Sequence, residues 1–153
     1  HVVQDKGAIS KVAIKFANGN LVKANKVKIS QEIDVARFEV EECHQIVNPL
    51  KIDDVFLGDN IFISGYLSGS VDSDYYFSAG TVASILKLSS TGAIIGTTAP
   101  AFFGMSGSPV INTRGAIVAI HVEGLRRNGR GFSYEIPMNL VPKSFIFADN
   151  NKE

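Results

Sequence analysis

Gly104-Met105-Ser106-Gly107-Ser108-Pro109 runs directly into the apolar pair Val110-Ile111, and its reading decides the fold. One serine stands between two glycines, on a loop that feeds a strand. Small residues on both sides let the backbone turn tightly and leave the hydroxyl exposed. They also let two N–H groups converge on one small space, the geometry that stabilises an oxyanion. Fifteen residues beyond Ser106, the run Ala116-Ile117-Val118-Ala119-Ile120 ends in His121. A serine in this setting points to covalent acyl transfer, provided that the chain supplies a base and an acid to orient it.

Working outward, composition bounds the answer. The 153 residues are enough for one substantial core or two small packed barrels. Apolar residues are 45% of the chain and charged residues 20%, ordinary for a globular protein. Fifteen basic and fifteen acidic residues give a formal net charge of zero, so no global field favours nucleic acid or an anionic membrane. The apolar runs are too short to span a bilayer, and no targeting leader can be read. Cys43 is the single cysteine, which excludes an intramolecular disulfide and leaves the compartment open. Cys43-His44 without further ligands is poor support for zinc, and no metal or organic cofactor is expected.

The periodicity is that of β-structure. Val12, Ile14 and Phe16 alternate with Ala13 and Lys15. Asn18-Gly19 is a strong two-residue hairpin signal. Residues 21–29 read as the return strand, and Ala36, Phe38 and Val40 alternate in the next. Residues 60–67 and 77–88 are further strands, and 116–122 fits a strand buried on both faces. A short helix is expected within 137–148. Short strands broken by Gly, Asn and Ser predict a barrel or sandwich.

A serine nucleophile needs a base, and the histidines are His1, His44 and His121. Candidate acids are many, and spacing alone does not choose among them. Asp34 stands out because it opens a strand in Ile33-Asp34-Val35-Ala36.

With these residues assembled, the chain resembles the trypsin-like serine proteases. His1-Val2-Val3, Ile33-Asp34-Val35-Ala36 and Gly104-Met105-Ser106-Gly107-Ser108-Pro109 look like their three catalytic motifs. They come in the order His, Asp, Ser, with separations of 33 and 72 residues similar to the HtrA-type and glutamyl-endopeptidase-type branches. Residues 77–84 are similar to the strand that precedes the active-site loop in the HtrA branch, and 131–141 to that branch's closing strand and terminal segment. The resemblance implies an all-β, chymotrypsin-like fold of two packed antiparallel β-barrels of six-stranded type. Residues 1–60 would belong to the first barrel, and 61–153 to the second barrel and terminal segment. It implies Ser106 as nucleophile, His1 as base, Asp34 as orienting acid and the N–H groups of Gly104 and Ser106 as oxyanion hole. Val122-Glu123-Gly124 would pair with the substrate backbone as an added strand.

In the glutamyl-endopeptidase branch and in 3C-like proteases, a histidine at the place of His121 lies in the S1 pocket and binds Glu or Gln. Those enzymes usually carry a hydroxyl five residues before the nucleophile; here Ala101 stands there, with Thr97 and Thr98 further upstream. Arg126, Arg127 and Arg130 are expected in the following loop. In this family strands precede the catalytic histidine, so a further polypeptide segment is expected to complete the first barrel. The expected activity is hydrolysis of protein or peptide substrates after Glu or Gln, with neither nucleic acid nor membrane insertion involved. The alternative is a catalytically inactive protease-like module that binds extended peptides along the same edge.

Overall fold

The hairpin signal at Asn18-Gly19 sets the first strands. The protein's structure is a computed structural model that describes residues 12–16, 18–30, 32–40, 51–67, 75–88, 92–127 and 130–147. Gly19 has φ 85°, which an L-residue with a Cβ resists. The Asn18 Oδ1 accepts the Asn20 N–H at 3.0 Å, and the Gly19 N–H donates to the Phe16 carbonyl at 2.9 Å. Strands β1 (Ala13–Lys15) and β2 (Leu21–Ile29) therefore pair antiparallel, Ile14 against Val22. A second turn follows, in which the Ser30 Oγ accepts the N–H groups of Glu32 and Ile33 at 3.2 Å. It returns the chain as β3 (Ala36–Val40), giving a three-stranded sheet in the order β1-β2-β3.

Residues 1–49 and 142–153 form one compact unit, and residues 50–141 another. The terminal segment belongs to the first unit. Contacts within each unit hold its segments in place. The Arg37 Nη1 donates to the carbonyls of Ser144 and Phe147, each at 2.8 Å, and the Lys28 Nζ lies 5.2 Å from the centre of the Phe145 ring. In the second unit, Ile117 donates its N–H to the Lys51 carbonyl and accepts from Asp53, a parallel bridge that fastens residues 51–53 to the barrel. The helix expected within 137–148 occurs as two pieces, a 3-10 turn Met138–Leu140 and α1 (Lys143–Ile146). Pro142 separates them, because it donates no N–H and holds Val141 in extended geometry (ψ 120°).

The second unit is a closed six-stranded barrel. Its strands are β4 (Asn60–Tyr66), β5 (Tyr75–Leu88), β6 (Gly92–Thr97), β7 (Pro109–Asn112), β8 (Ile117–Arg127) and β9 (Arg130–Pro137). The order is β4-β5-β6-β9-β8-β7, and β4 pairs with β7 to close the circle. Alternation decides what faces inward: Ile61 and Ile63 are sealed inside, while Phe62 lies outside and stacks on Phe77 at 5.3 Å. Val82, Ile95, Val110, Val118 and Met105 complete the core. The protein is thus all-β, with one closed six-stranded barrel and, among the described residues, a second three-stranded sheet.

Strand β8 does not end at Val122, as the expected span of 116–122 has it, but continues to Arg127, pairing with β9 as far as Arg127 against Arg130. Arg126, Arg127 and Arg130 therefore belong to strand ends rather than to a loop. Strand β6, between two glycines, was not anticipated from the residues. Gly96 is packed so closely against the Ser84 side chain that a Cβ there would collide with it.

Candidate active site in the second barrel

The serine loop is held by a small set of backbone bonds. The Met105 N–H donates to the Phe102 carbonyl at 3.1 Å, and the Ser108 N–H to the Met105 carbonyl at 2.9 Å. Two tight turns thus meet at Met105, whose side chain is fully buried in the barrel core. Burying it contributes about 2–3 kcal/mol and anchors the loop at its centre. Gly104 has φ 98° and Gly107 φ 90°, so the residues on both sides of the Met105-Ser106 pair are in the left-handed region that favours glycine. The Gly107 N–H then donates to the His121 carbonyl at 2.8 Å, and the His121 N–H to the Ser108 carbonyl at 2.9 Å. The loop is stitched to β8 on both sides of its second turn.

Ser106 projects its half-buried hydroxyl from this scaffold and donates to the Val122 carbonyl at 2.8 Å. Val122 sits at a bulge: the pairing of β8 with β9 shifts register between His121 and Glu123. A bulge re-aims the backbone, and here the Val122 carbonyl meets the serine. A carbonyl can orient a hydroxyl, but it cannot take its proton, so chemistry at Ser106 requires a separate base. Among the described residues, none of the backbone bonds that hold the loop uses the N–H groups of Gly104 and Ser106. Among the described residues no strand pairs with β8 on the β7 side beyond Ile120, so Val122, Glu123 and Gly124 lie along an open edge. At Gly124 a Cβ would come within 2.8 Å of the Ala101 carbonyl oxygen, so only glycine fits there without a shift.

Behind the loop lies a buried polar group that sequence reading missed. His121 is 2% exposed, and its Nδ1 is 2.8 Å from the Oε2 of Glu135, which is 0% exposed. The Thr97 Oγ1 lies 2.7 Å from the Ser133 Oγ and 3.4 Å from the Glu135 Oε1, and the Ser133 Oγ donates to the Ala99 carbonyl at 3.0 Å. Ser133 and Glu135 alternate inward along β9, while Phe132 is exposed and Tyr134 half-buried. A carboxylate on the apolar side of a period-2 strand was the available signal, since such a group is rarely buried without a partner. The hydroxyl of Thr97 takes part in this group. Ala101, five residues before Ser106, contributes no hydroxyl, and its carbonyl borders Gly124.

Ser106, Gly104, His121 and residues 122–124 are therefore brought together in the barrel unit. Asp34 belongs to the other unit; it lies in an exposed bend just before β3, which begins at Ala36. His1, like His44 and Cys43, lies outside the described residues.

Residues 1–120 match the trypsin-like peptidase domain family. The chain belongs to that family. No curated protein matches it. Among solved structures, the HtrA-type protease AlgW with a decapeptide is similar over 88% of this chain and 43% of its own, at 19% identity and TM-score 0.71. The active form of the Rv3671c protease of M. tuberculosis is similar over 82% of this chain and 58% of its own, at 18% identity and TM-score 0.70. An inactive serine-to-alanine form of Rv3671c is similar over 86% and 66%, at 17% identity and TM-score 0.69. At these identities the likeness is one of fold. The chain spans between 43% and 66% of the length of these neighbours.

Proposed function

We propose that this trypsin-like peptidase domain is the catalytic domain of a serine endopeptidase that cleaves after Glu or Gln through an acyl-enzyme. The observation that carries the reading is the Ser106 hydroxyl, held at a turn between two left-handed glycines and bonded to the bulged Val122 carbonyl. In this reading the Ser106 Oγ attacks the scissile carbonyl carbon while its proton passes to His1, which Asp34 orients. The tetrahedral oxyanion is met by the N–H groups of Gly104 and Ser106, each such donor lowering the barrier by about 3–4 kcal/mol. His1 then returns the proton to the leaving amine, and water hydrolyses the ester. Val122, Glu123 and Gly124 pair with the substrate backbone along the open edge of β8. The decapeptide held by AlgW supports an extended peptide as ligand. His121 lies beneath the serine loop and recognises the P1 side chain.

The test is covalent labelling of the full-length protein with a fluorophosphonate. Ser106 is the residue expected to be modified, and Ser106→Ala is expected to lower kcat by a factor of about 10⁴ or more. A full-length protein whose Ser106 resists the reagent while extended peptides still bind is the inactive module instead. For specificity, a peptide library is expected to show Glu and Gln at P1, with both lost in His121→Ala. A profile dominated by Arg, Lys or small aliphatic residues rules out that assignment.

A further inference from the structure

Three arginines remain outside the chemistry described so far. Arg126, Arg127 and Arg130 lie within residues 124–134, a stretch with no acidic residue. The register of β8 places them on the path of a bound peptide. The Ser106 Oγ is 2.8 Å from the Val122 carbonyl, so the residue it attacks, P1, lies opposite Val122. A strand added antiparallel to β8 advances one residue for each residue of β8. P3 then lies opposite Gly124, P5 opposite Arg126 and P6 opposite Arg127. The last of these is roughly 17 Å from Val122, at about 3.3 Å per residue. Among the described residues the edge stays unpaired on this side beyond Ile120.

Residues paired across a ladder share a face, and faces alternate along each strand. Gly124 pairs with buried Ser133, and two positions further along that face Arg126 pairs with Gly131. Exposed Glu123 pairs with Tyr134, and at the far end of that other face Arg127 pairs with Arg130. Like charges directly opposite one another are destabilising. The nearest acids of the hairpin do not offset them. Glu123 stands four residues before Arg127, and Glu135 stands five residues after Arg130 and is held by buried His121. The ladder therefore ends on a pair of positive positions that an incoming carboxylate would relieve.

We infer, on the reading of Ser106 as nucleophile and of the β8 edge as the substrate's partner, that the end of the β8–β9 hairpin selects peptides with Asp or Glu at P5 and P6. A carboxylate at P5 comes level with Arg126, and one at P6 with Arg127 and Arg130. Backbone pairing along β8 delivers the charges to these positions, so the arginines add selectivity to a ladder that already holds the chain. Nucleic acid has a weaker claim. Three cations on a chain of zero formal net charge offer few phosphate contacts. Ion pairs in contact with water are individually weak, about threefold in affinity each. Two acidic residues together are therefore expected to give about tenfold.

The experiment uses the full-length protein and a set of peptides identical from P4 onward, with Asp, Ser or Lys at P5, at P6 or at both. In wild type kcat/KM is expected to fall in the order Asp, Ser, Lys, by about tenfold from Asp-Asp to Ser-Ser. At 1 M salt, where the screening length is about 3 Å, that spread is expected to shrink to about twofold or less. Arg126→Glu is expected to turn the P5 preference from Asp to Lys and to leave the P6 preference in place. Arg127→Glu sets an opposite charge across from Arg130, which favours the hairpin, and is expected to abolish the P6 preference alone. A merely structural role would lower all the peptides together. Equal rates for all peptides in wild type, or an Arg126→Glu protein that still prefers Asp at P5, overturns the inference. If neither variant folds, the salt series on wild type decides, and a spread undiminished at 1 M overturns it. Should no peptide be cleaved, the endopeptidase reading fails, and fluorescence anisotropy of the same peptides decides instead. Tighter binding of the Asp-Asp peptide then supports the acidic preference, and equal binding overturns it. A DNA duplex that displaces the Asp-Asp peptide at lower concentration than the unlabelled peptide does would assign the arginines to nucleic acid and overturn it too.

Discussion

At Gly107 the local chemistry is simple enough to test cleanly. A Cβ added there meets nothing within 4 Å, so a substitution is opposed by backbone conformation alone. With φ at 90°, Gly107→Ala is expected to lower stability by about 1–2 kcal/mol. It also disturbs the bond from the Gly107 N–H to the His121 carbonyl, which sets the angle of Ser106. Chemical denaturation gives the first effect, and the rate of fluorophosphonate labelling gives the second. A Gly107→Ala protein of unchanged stability would mean that the turn does not hold this conformation. The tight serine loop was legible in the sequence because glycine on both sides of a serine is a local signal. Glu135 was not, because its role depends on pairing with a strand whose residues lie fourteen positions earlier. Nothing within β9 itself says that a histidine waits across the ladder.

Among elements, those bounded by turn chemistry were the most legible. Strand β2 spans Leu21–Ile29 as read, because Asn18-Gly19 fixes its start and Ser30 ends it. Strand β8 runs past the expected 116–122, since the apolar run stops at Val122 while the ladder with β9 does not. Burial marks the core-facing part of a strand, whereas hydrogen bonding continues past it. The turn from β7 to β8 shows how a polar side chain fastens elements. Asp53 receives hydrogen bonds from Arg114 and from the Asn112 Nδ2 at 3.2 Å, next to the bridge between residues 51–53 and β8. The Arg114 guanidinium holds the Asp53 carboxyl below its ordinary value. A lowered folded-state pKa favours folding at pH values above the unfolded carboxyl's, about 3.9, and this benefit is lost as pH falls through the folded value. Asp53→Asn is therefore expected to lower Tm at about pH 7, with the difference from wild type vanishing near pH 2. Thermal scans at both pH values check this, and a difference that persists in acid would assign the effect to something other than the charge.

For the whole molecule, the sequence announced strands and a serine loop but not which segments share a core. Alternation at Ile61 and Ile63 shows that one face is buried without showing that β4 closes against β7. Nor does it show that residues 142–153 return to the first unit. That return rests on Arg37. Its side chain is 16% exposed, and it donates to two carbonyls at the end of α1 while its Nη2 lies 3.3 Å from the Glu39 carboxylate. The last carbonyls of a helix have no partners within it, so a guanidinium there serves as a cap. Hydrogen bonds to a charged group contribute about 1.5–3 kcal/mol each when buried, and less at this partial exposure. Arg37→Ala is thus expected to release residues 143–147 and leave the barrel intact, since the barrel core of Ile61, Ile63, Val110 and Val118 lies in the other unit. Amide hydrogen exchange reads both at once. Faster exchange in α1 with unchanged protection of β4 and β8 is the expected pattern. Equal loss of protection in both places would mean that the two units open as one cooperative body, and that Arg37 stabilises the whole rather than the tail.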